Sequence, residues 1–481
     1  MTGALTLDRR SRLLLWAVLL LALGLRLYGL QSQPWDQDEL YTLRDAADLG
    51  AYSQSVGGPG IAARPIYYLI TWGLLKVAAP GPLMARFPAF LFGVAGVWVT
   101  WLLGRAVFGI RAGLLAAFLV AISPWHLYSS QFARYWTLVY LCSALACLWL
   151  IQAFDRDRPR GWAAAALIIM TGLLTHPTFA FPLVGIVAGL TLVGADGAIR
   201  WRWPTANALR YFWGTLLALA ATALLVMKLV GSRHALSNWS GRGLVATVLL
   251  VPAIVEWLSP TLAATAAAGM AGMAWGPRDR RFALVALLGC GGALTLLLAA
   301  SLRGDVYADY GMAMLPLVFV VIGGAVERLS EPFGSRAGLV AGGAAVVLAA
   351  STLPSTISHL NDGTRFDYRP AYEFVAAQPG NHLVMGWPDV VAHAYAPGIR
   401  FKELRFNRAE LQTALGTEGG FWLVSSYHRM GLVGDDGTIQ PWIEAHCRRR
   451  LVTDRTRLDY RDYRVEASWC GPDPADAAGA P

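Results

Sequence analysis

FALVALLGCGGALTLLLAASL, Phe282 to Leu302, runs from Arg281 to Arg303 without one charged side chain. About 20 mostly apolar residues suffice to cross the ~30 Å hydrocarbon layer of a bilayer. A water-soluble core interrupts its apolar runs with polar positions every few residues, and this stretch does not. Leu13 to Leu25 is equally free of charge, and further runs of similar character follow along the chain. Hydrophobic residues are 56% of the 481 and charged residues only 15%, against about 25% in ordinary soluble domains. The chain therefore reads as an integral membrane protein with many spans. The run at Leu13 follows Arg9, Arg10 and Arg12, as a signal peptide would. Arg26, Leu27 and Tyr28 close it where a small-residue cleavage site belongs, so it reads as a retained span.

The formal net charge is +9. Its arginines are grouped at Arg9–Arg12, Arg105/Arg111, Arg156/Arg158/Arg160, Arg200/Arg202, Arg278/Arg280/Arg281 and Arg328/Arg336. Such groups between apolar runs orient spans with the positive side inward, which accounts for the charge without nucleic acid. If every group is cytoplasmic, spans between groups come in pairs. Arg111–Tyr128 pairs with Tyr135–Phe154, Trp162–His176 with Pro177–Val193, and Phe282–Leu302 with Gly311–Val326. Tyr211–Val230 pairs with a span ending near Trp275, and Gly338–Leu353 leads out to the tail. Ile66–Ala79, short and carrying Lys76, and Leu244–Leu258 break the parity and are expected to lie flat on the interface. The expected fold is an all-α polytopic bundle of about 11 transmembrane helices, with interfacial helices in the first outer loop. It has an N-terminus inside, a membrane domain over 1–354 and a small extracytoplasmic α/β domain over 355–481.

In that tail, Asp367–Gln378 reads as helix, and His382–Gly386, Phe421–Ser425 and Tyr463–Ala467 as strands. The residues after Gly471 read as disordered. Cys142, Cys147 and Cys290 lie in apolar runs and read as packing residues. Cys447 and Cys470 lie in the tail, where sequence leaves pairing open. No cysteine cluster of metal-ligand type occurs.

The outer face collects the candidate chemistry. The first outer loop opens Pro34-Trp35-Asp36-Gln37-Asp38-Glu39-Leu40-Tyr41, with three carboxylates in four residues. Arg64 precedes Pro65, Arg86 begins the next span, and Arg134 stands in Ser130-Gln131-Phe132-Ala133-Arg134-Tyr135-Trp136 at a span mouth. Ionisable groups at membrane depth are costly and tend to be functional, and a guanidinium forks onto phosphate. The bland alternatives are a solvated acidic loop and arginines snorkelling to the interface. His176 at a span end reads first as structural and second as a substrate or metal contact. On an extended loop Asp36 and Asp38 point the same way. Only the proximity of Asp38 to Leu40, Tyr41 and Leu43, which can dock on the membrane, favours it.

Further pieces fall in order: Asp38-Glu39; Arg64-Pro65-Ile66-Tyr67-Tyr68; Ala85-Arg86-Phe87-Pro88; Leu103 to Gly109; Ser123-Pro124; Ser130 to Tyr135; Thr175-His176-Pro177; Met314-Leu315-Pro316. From Leu13 to Pro316 this series resembles the C superfamily of membrane glycosyltransferases, in its protein O-mannosyltransferase-like branch, which includes lipid A aminoarabinose transferases. The resemblance implies an enzyme of the bacterial plasma membrane. It would move a hexosyl or pentosyl unit, with inversion, from a polyprenyl-phosphate carrier to an envelope glycan, lipid or protein on the outer face. It implies Asp38 as general base supported by Glu39, and Arg64 and Arg134 at the donor phosphate. Arg86, His176 and Tyr310 are weaker substrate contacts. Arg64-Pro65-Ile66 replaces the commoner Pro-Pro pair, and Asp309-Tyr310-Gly311 stands where relatives often carry an arginine. No cofactor is required; a divalent metal is compatible but not indicated. The rival classes are a transporter or flippase of lipid-linked glycans and a non-catalytic scaffold. The first is disfavoured because the sequence shows neither inverted repeats nor charged span midpoints.

Overall fold

The computed structural model describes residues 7–49, 64–201, 205–213, 243–302, 306–404, 407–426, 439–453 and 463–472. The helices are α1 Arg9–Leu27, α2 Gln37–Ala47, α3 Pro65–Leu75, α4 Pro82–Phe108, α5 Ile110–Ile122, α6 Pro124–Ser130, α7 Trp136–Arg156, α8 Pro159–Thr175, α9 Ala180–Leu192, α10 Gly243–Leu258, α11 Pro260–Trp275, α12 Arg280–Ser301, α13 Leu315–Ser330, α14 Ala337–Asp362, α15 Arg369–Ala376, α16 Asp389–Tyr395, α17 Arg408–Glu418 and α18 Ile439–His446. The strands are β1 Val384–Gly386, β2 Phe401–Glu403, β3 Phe421–Ser426, β4 Cys447–Thr453 and β5 Val465–Cys470. The chain divides into two compact units, Met1–Leu30 with Asp45–Thr356, and Gln31–Arg44 with Ile357–Pro481. The sequence divides once, after 354; in the structure Gln31–Arg44 also groups with the later residues.

The first unit is a helix bundle whose outer faces are apolar. Leu13, Trp16, Leu20, Val184, Leu339, Val346 and Trp275 are all exposed, as lipid-facing side chains are, and the protein is an integral membrane protein. Among the described residues, four helical stretches are long and apolar enough to cross a bilayer, or up to six if each of two bent pairs counts as one span. This is fewer than the about eleven read from apolar runs; all but the first three residues of the Tyr211–Val230 span lie outside the described residues. Much of the difference comes from breaks. The α5/α6 pair bends by 64° and the α10/α11 pair by 99°; a third break separates α8 from α9. All three occur at an X-Pro step, and each uses the preceding side chain as cap. Ser123 Oγ accepts from His126 N (3.4 Å), Ser259 Oγ from Leu262 N (3.3 Å) and His176 Nδ1 from Thr178 N (3.3 Å). Proline lacks the N–H an incoming helix cannot use anyway, so a cap followed by proline restarts a helix cheaply.

One end of the bundle is tied by ion pairs. Arg111 meets Glu327 at 2.9 Å, Arg328 forks onto Asp279 at 2.6 and 2.7 Å, and Arg281 pairs with Asp155. These pairs join junctions that the arginine parity assigns to a single side.

The second unit is a sheet of order β2-β1-β3-β5-β4, parallel across β2, β1 and β3 and antiparallel at β5 and β4. Alternate residues of β3 enter opposite cores, Trp422 and Val424 beneath α15 and α16, Phe421 and Leu423 beneath α17 and α18. Cys447 and Cys470 are register partners and form a disulfide. The strands read from sequence are the inner ones. β2 and β4 lie at the sheet edges, and Phe-Lys-Glu and Cys-Arg-Arg-Arg-Leu-Val-Thr lack the apolar alternation that marks a strand. The disorder expected after Gly471 falls on residues mostly outside the described ones.

Candidate active site

The acidic segment is not an extended loop. Asp36 caps α2: its Oδ1 accepts from Asp38 N (2.9 Å), and Glu39 Oε2 accepts from Asp36 N (3.1 Å). This is a capping box, with an acidic cap and a glutamate three residues on. Asp36 is thereby occupied at the helix terminus, whereas Asp38, equally half-buried, is the second residue of α2. The expectation that the two carboxylates share a direction fails for this reason: successive helical positions turn by about 100°.

Glu39 has a further partner in its own unit. Arg365 Nη1 donates to Glu39 Oε2 (2.9 Å), and both side chains have 0% exposure. The same nitrogen donates to the Pro34 carbonyl (3.2 Å). Trp35 N donates to the Tyr395 hydroxyl (2.7 Å), and Leu40 packs on the face of Tyr368, Tyr372 and Trp422. Arg365 is delivered by the turn that ends α14. There Gly363 has φ +69°, a left-handed position that favours glycine. Its N–H returns to the His359 carbonyl, while Asp362 Oδ1 accepts from Thr364 N (2.7 Å). Burial pushes the Tyr41 phenol up to about 12, with Asp389 and Glu403 adding to the effect; it is a neutral hydroxyl at physiological pH.

In the bundle, four of the residues picked from sequence share one aromatic cluster. Arg64 Nη1 donates to the Tyr135 hydroxyl (2.8 Å), and its guanidinium lies 5.1 Å from the Tyr135 ring centre. Arg134 lies 5.7 Å from the same ring. His176 stacks on Tyr135 at 4.7 Å, and His176 and Trp136 both meet Tyr310 at 5.4 Å. The breaks described above build this cluster. Tyr135 and Trp136 open α7 just beyond α6, and His176 stands at the α8/α9 break. Thr178 N and Oγ1 hold His176 Nδ1, so a neutral ring carries its proton on Nε2. Tyr310 belongs to the 3-10 turn Ala308–Met314, anchored by Trp125 Nε1 donating to Asp309 Oδ1 (3.2 Å) and Ser143 Oγ donating to the Ala313 carbonyl (2.5 Å). Arg64 Nε is buried without a hydrogen-bond partner among the described residues. Arg86 is placed differently: fully buried, it donates to the Leu30 carbonyl (2.8 Å) and secures the chain beyond α1.

Residues 62–227 match the family model described as dolichyl-phosphate-mannose-protein mannosyltransferase. ArnT from Cupriavidus metallidurans in the apo state superposes with a TM-score of 0.59 at 13% identity, over 96% of this chain and 99% of that one. The same protein bound to undecaprenyl phosphate gives 0.56. The archaeal oligosaccharyltransferase AglB from Archaeoglobus fulgidus gives 0.51 at 14% identity, over 90% of this chain and 72% of that one. No match among curated proteins was found. The chain shares the fold of ArnT and AglB.

The residues that sequence reasoning misses are instructive. Tyr135 and Trp136 enter the sequence reading only as flanks of Arg134, yet Tyr135 carries both cations and both rings meet His176. Arg365 gives no local signal at all. The Asp36–Glu39 capping box is legible as a motif, but a solvated acidic loop is the competing reading. Among the described residues no group of three or more His, Cys, Asp or Glu side chains is arranged to hold a metal.

Proposed function

We propose that this protein transfers a sugar from a polyprenyl-phosphate carrier to a hydroxyl of a cell-envelope acceptor, on the outer face of a bacterial plasma membrane. The observation that carries the reading is the Arg64–Tyr135–Arg134 arrangement. Two guanidinium groups sit against one aromatic ring in a membrane bundle, with an imidazole N–H and a second tyrosine beside them. That is chemistry for an oxyanion on a lipid, and a structure of this fold, ArnT from Cupriavidus metallidurans, carries undecaprenyl phosphate.

In the proposed reaction the acceptor oxygen attacks the anomeric carbon, and the bond from that carbon to the carrier phosphate oxygen breaks with inversion. Asp38 takes the acceptor proton, a role worth about 10²–10⁴-fold. Arg64 and Arg134 stabilise the charge that grows on the departing phosphate, the His176 N–H and Tyr310 contact the same substrate, and Glu39 holds Asp38 in place. A phosphate monoester leaves as an anion, so fixed cations suffice and no metal is assigned a role. The test is reconstitution in nanodiscs with a panel of polyprenyl-phosphate hexoses and pentoses and delipidated envelope acceptors. Release of polyprenyl monophosphate coupled to acceptor glycosylation is the expected result. Movement of intact lipid-linked glycan across the bilayer, with no bond broken, would instead establish a flippase.

A further inference from the structure

Arg26 closes the first apolar run in the last turn of α1, and its side chain is fully buried. Its Nε donates to Ser130 Oγ (3.1 Å) and its Nη1 to the Ala22 and Ala121 carbonyls (both 3.1 Å). Nη2 donates to the Val120 carbonyl (3.2 Å) and to His126 Nδ1 (2.8 Å). No carboxylate is among these partners. The charge is balanced by carbonyls in the last turns of α1 and α5, where the helix dipole is negative.

Gln131 makes the reciprocal contact. Its Nε2 donates to the carbonyls of Leu25 (3.2 Å), Arg26 (3.0 Å) and Tyr28 (2.6 Å), closing the end of α1. Each side chain thus finishes the helix from which the other's segment departs. Between them lies α6, which is too short to hold its own direction. Gln131 is followed at once by Phe132–Tyr135, the segment that presents Arg134 and Tyr135. Helix α4 comes close enough to brace the clasp only because position 93 is glycine. A Cβ there would overlap Ser130 Oγ and lie 3.4 Å from Arg26 Nε.

We propose that Arg26 and Gln131 form a mutual clasp whose function is to set the position of Arg134 and Tyr135 for a lipid-borne phosphate. They are positioning residues and touch no substrate. The assignment rests on the transferase reading above.

The experiment uses the full chain in nanodiscs, with undecaprenyl phosphate as the binding probe and donor KM, kcat and thermal midpoint measured together. Gln131→Leu and Gly93→Ala are each expected to weaken undecaprenyl phosphate binding about tenfold or more, since small misplacements at a reacting centre are costly. Donor KM rises correspondingly, and kcat changes less. Arg26→Lys keeps charge without the fork and recovers only part of the affinity. The decisive readout is coupling: in an Arg134→Ala background, adding Gln131→Leu costs no further affinity, because both changes act through one contact. Lowered thermal midpoints with unchanged affinity and KM, or full additivity with Arg134→Ala, would reduce the clasp to a stability device and overturn the proposal. Wild-type protein that fails to bind undecaprenyl phosphate would overturn the transferase reading and this proposal together. Binding by wild type with equal binding by the variants would overturn only the clasp.

Discussion

The acidic segment and the cationic cluster are held by opposite means. In the α/β unit, Glu39 is anchored by charge, through a guanidinium and a backbone N–H, in a fully buried pair. In the bundle, Arg64 and Arg134 lie against the rings of Tyr135 and its neighbours. An aromatic face attracts a cation without neutralising it. On the transferase reading proposed above, Glu39 serves anchorage and Asp38 the chemistry, whereas Arg64 and Arg134 share one task.

The sharpest way to break this contrast is at Asp38. Asp38→Asn is expected to lower transfer by about 10²–10⁴-fold while donor binding persists, because the amide cannot take a proton. Asp36→Asn should lose little, since asparagine is also a good helix cap. Activity in the first and none in the second would move the base to the cap. Next in size is the anchor. Glu39→Leu or Arg365→Met leaves one buried charge unpaired, which costs about 3–5 kcal/mol; the double substitution should regain most of it. Calorimetry of the three variants measures this, and equal destabilisation in singles and double would show that the pair is not coupled.

Smaller again is Arg134→Ala, expected to reduce turnover about 10²-fold as for loss of one electrostatic stabiliser. Arg134→Lys should rescue poorly, because the planar fork and ring contact are lost. Steady-state kinetics with purified donor decides, and full rescue by lysine would mean that only net charge matters. The smallest effect concerns Tyr41. Its phenol, raised from 10.0 to about 12, binds its proton more tightly folded than unfolded. Its contribution to stability is complete below pH 10 and declines as pH rises through about 12. Tyr41→Phe should flatten the alkaline limb of a stability–pH curve and leave pH 6–8 unchanged; an altered neutral limb would contradict the placement.

The membrane bundle is legible in the sequence because charge-free apolar runs as long as Phe282–Leu302 are rare outside a bilayer, and the arginine groups locate its junctions. Arg64, Arg134 and His176 are legible as odd polar residues near span ends, and Tyr310 only through the family resemblance. The breaks at Ser123, His176 and Ser259 are less so, since hydropathy does not register where a cap and a proline restart a helix. Arg365 is out of reach. It stands 326 residues from Glu39, and no periodicity encodes a pairing at that separation. The edge strands β2 and β4 escape because a strand paired on one side need not alternate.

The unit that carries Asp38 is assembled from two parts of the chain, and this imposes an order in time. During synthesis Gln31–Arg44 leaves the ribosome long before Arg365 and the sheet do. Through that interval Glu39 lacks its guanidinium and Leu40 its core, while the bundle is already inserting. A nascent chain is therefore expected to be catalytically silent until its last domain folds, and a premature stop before Arg365 to yield an inserted but inert protein. On the transferase reading, unfinished copies would leave lipid-linked sugars untouched.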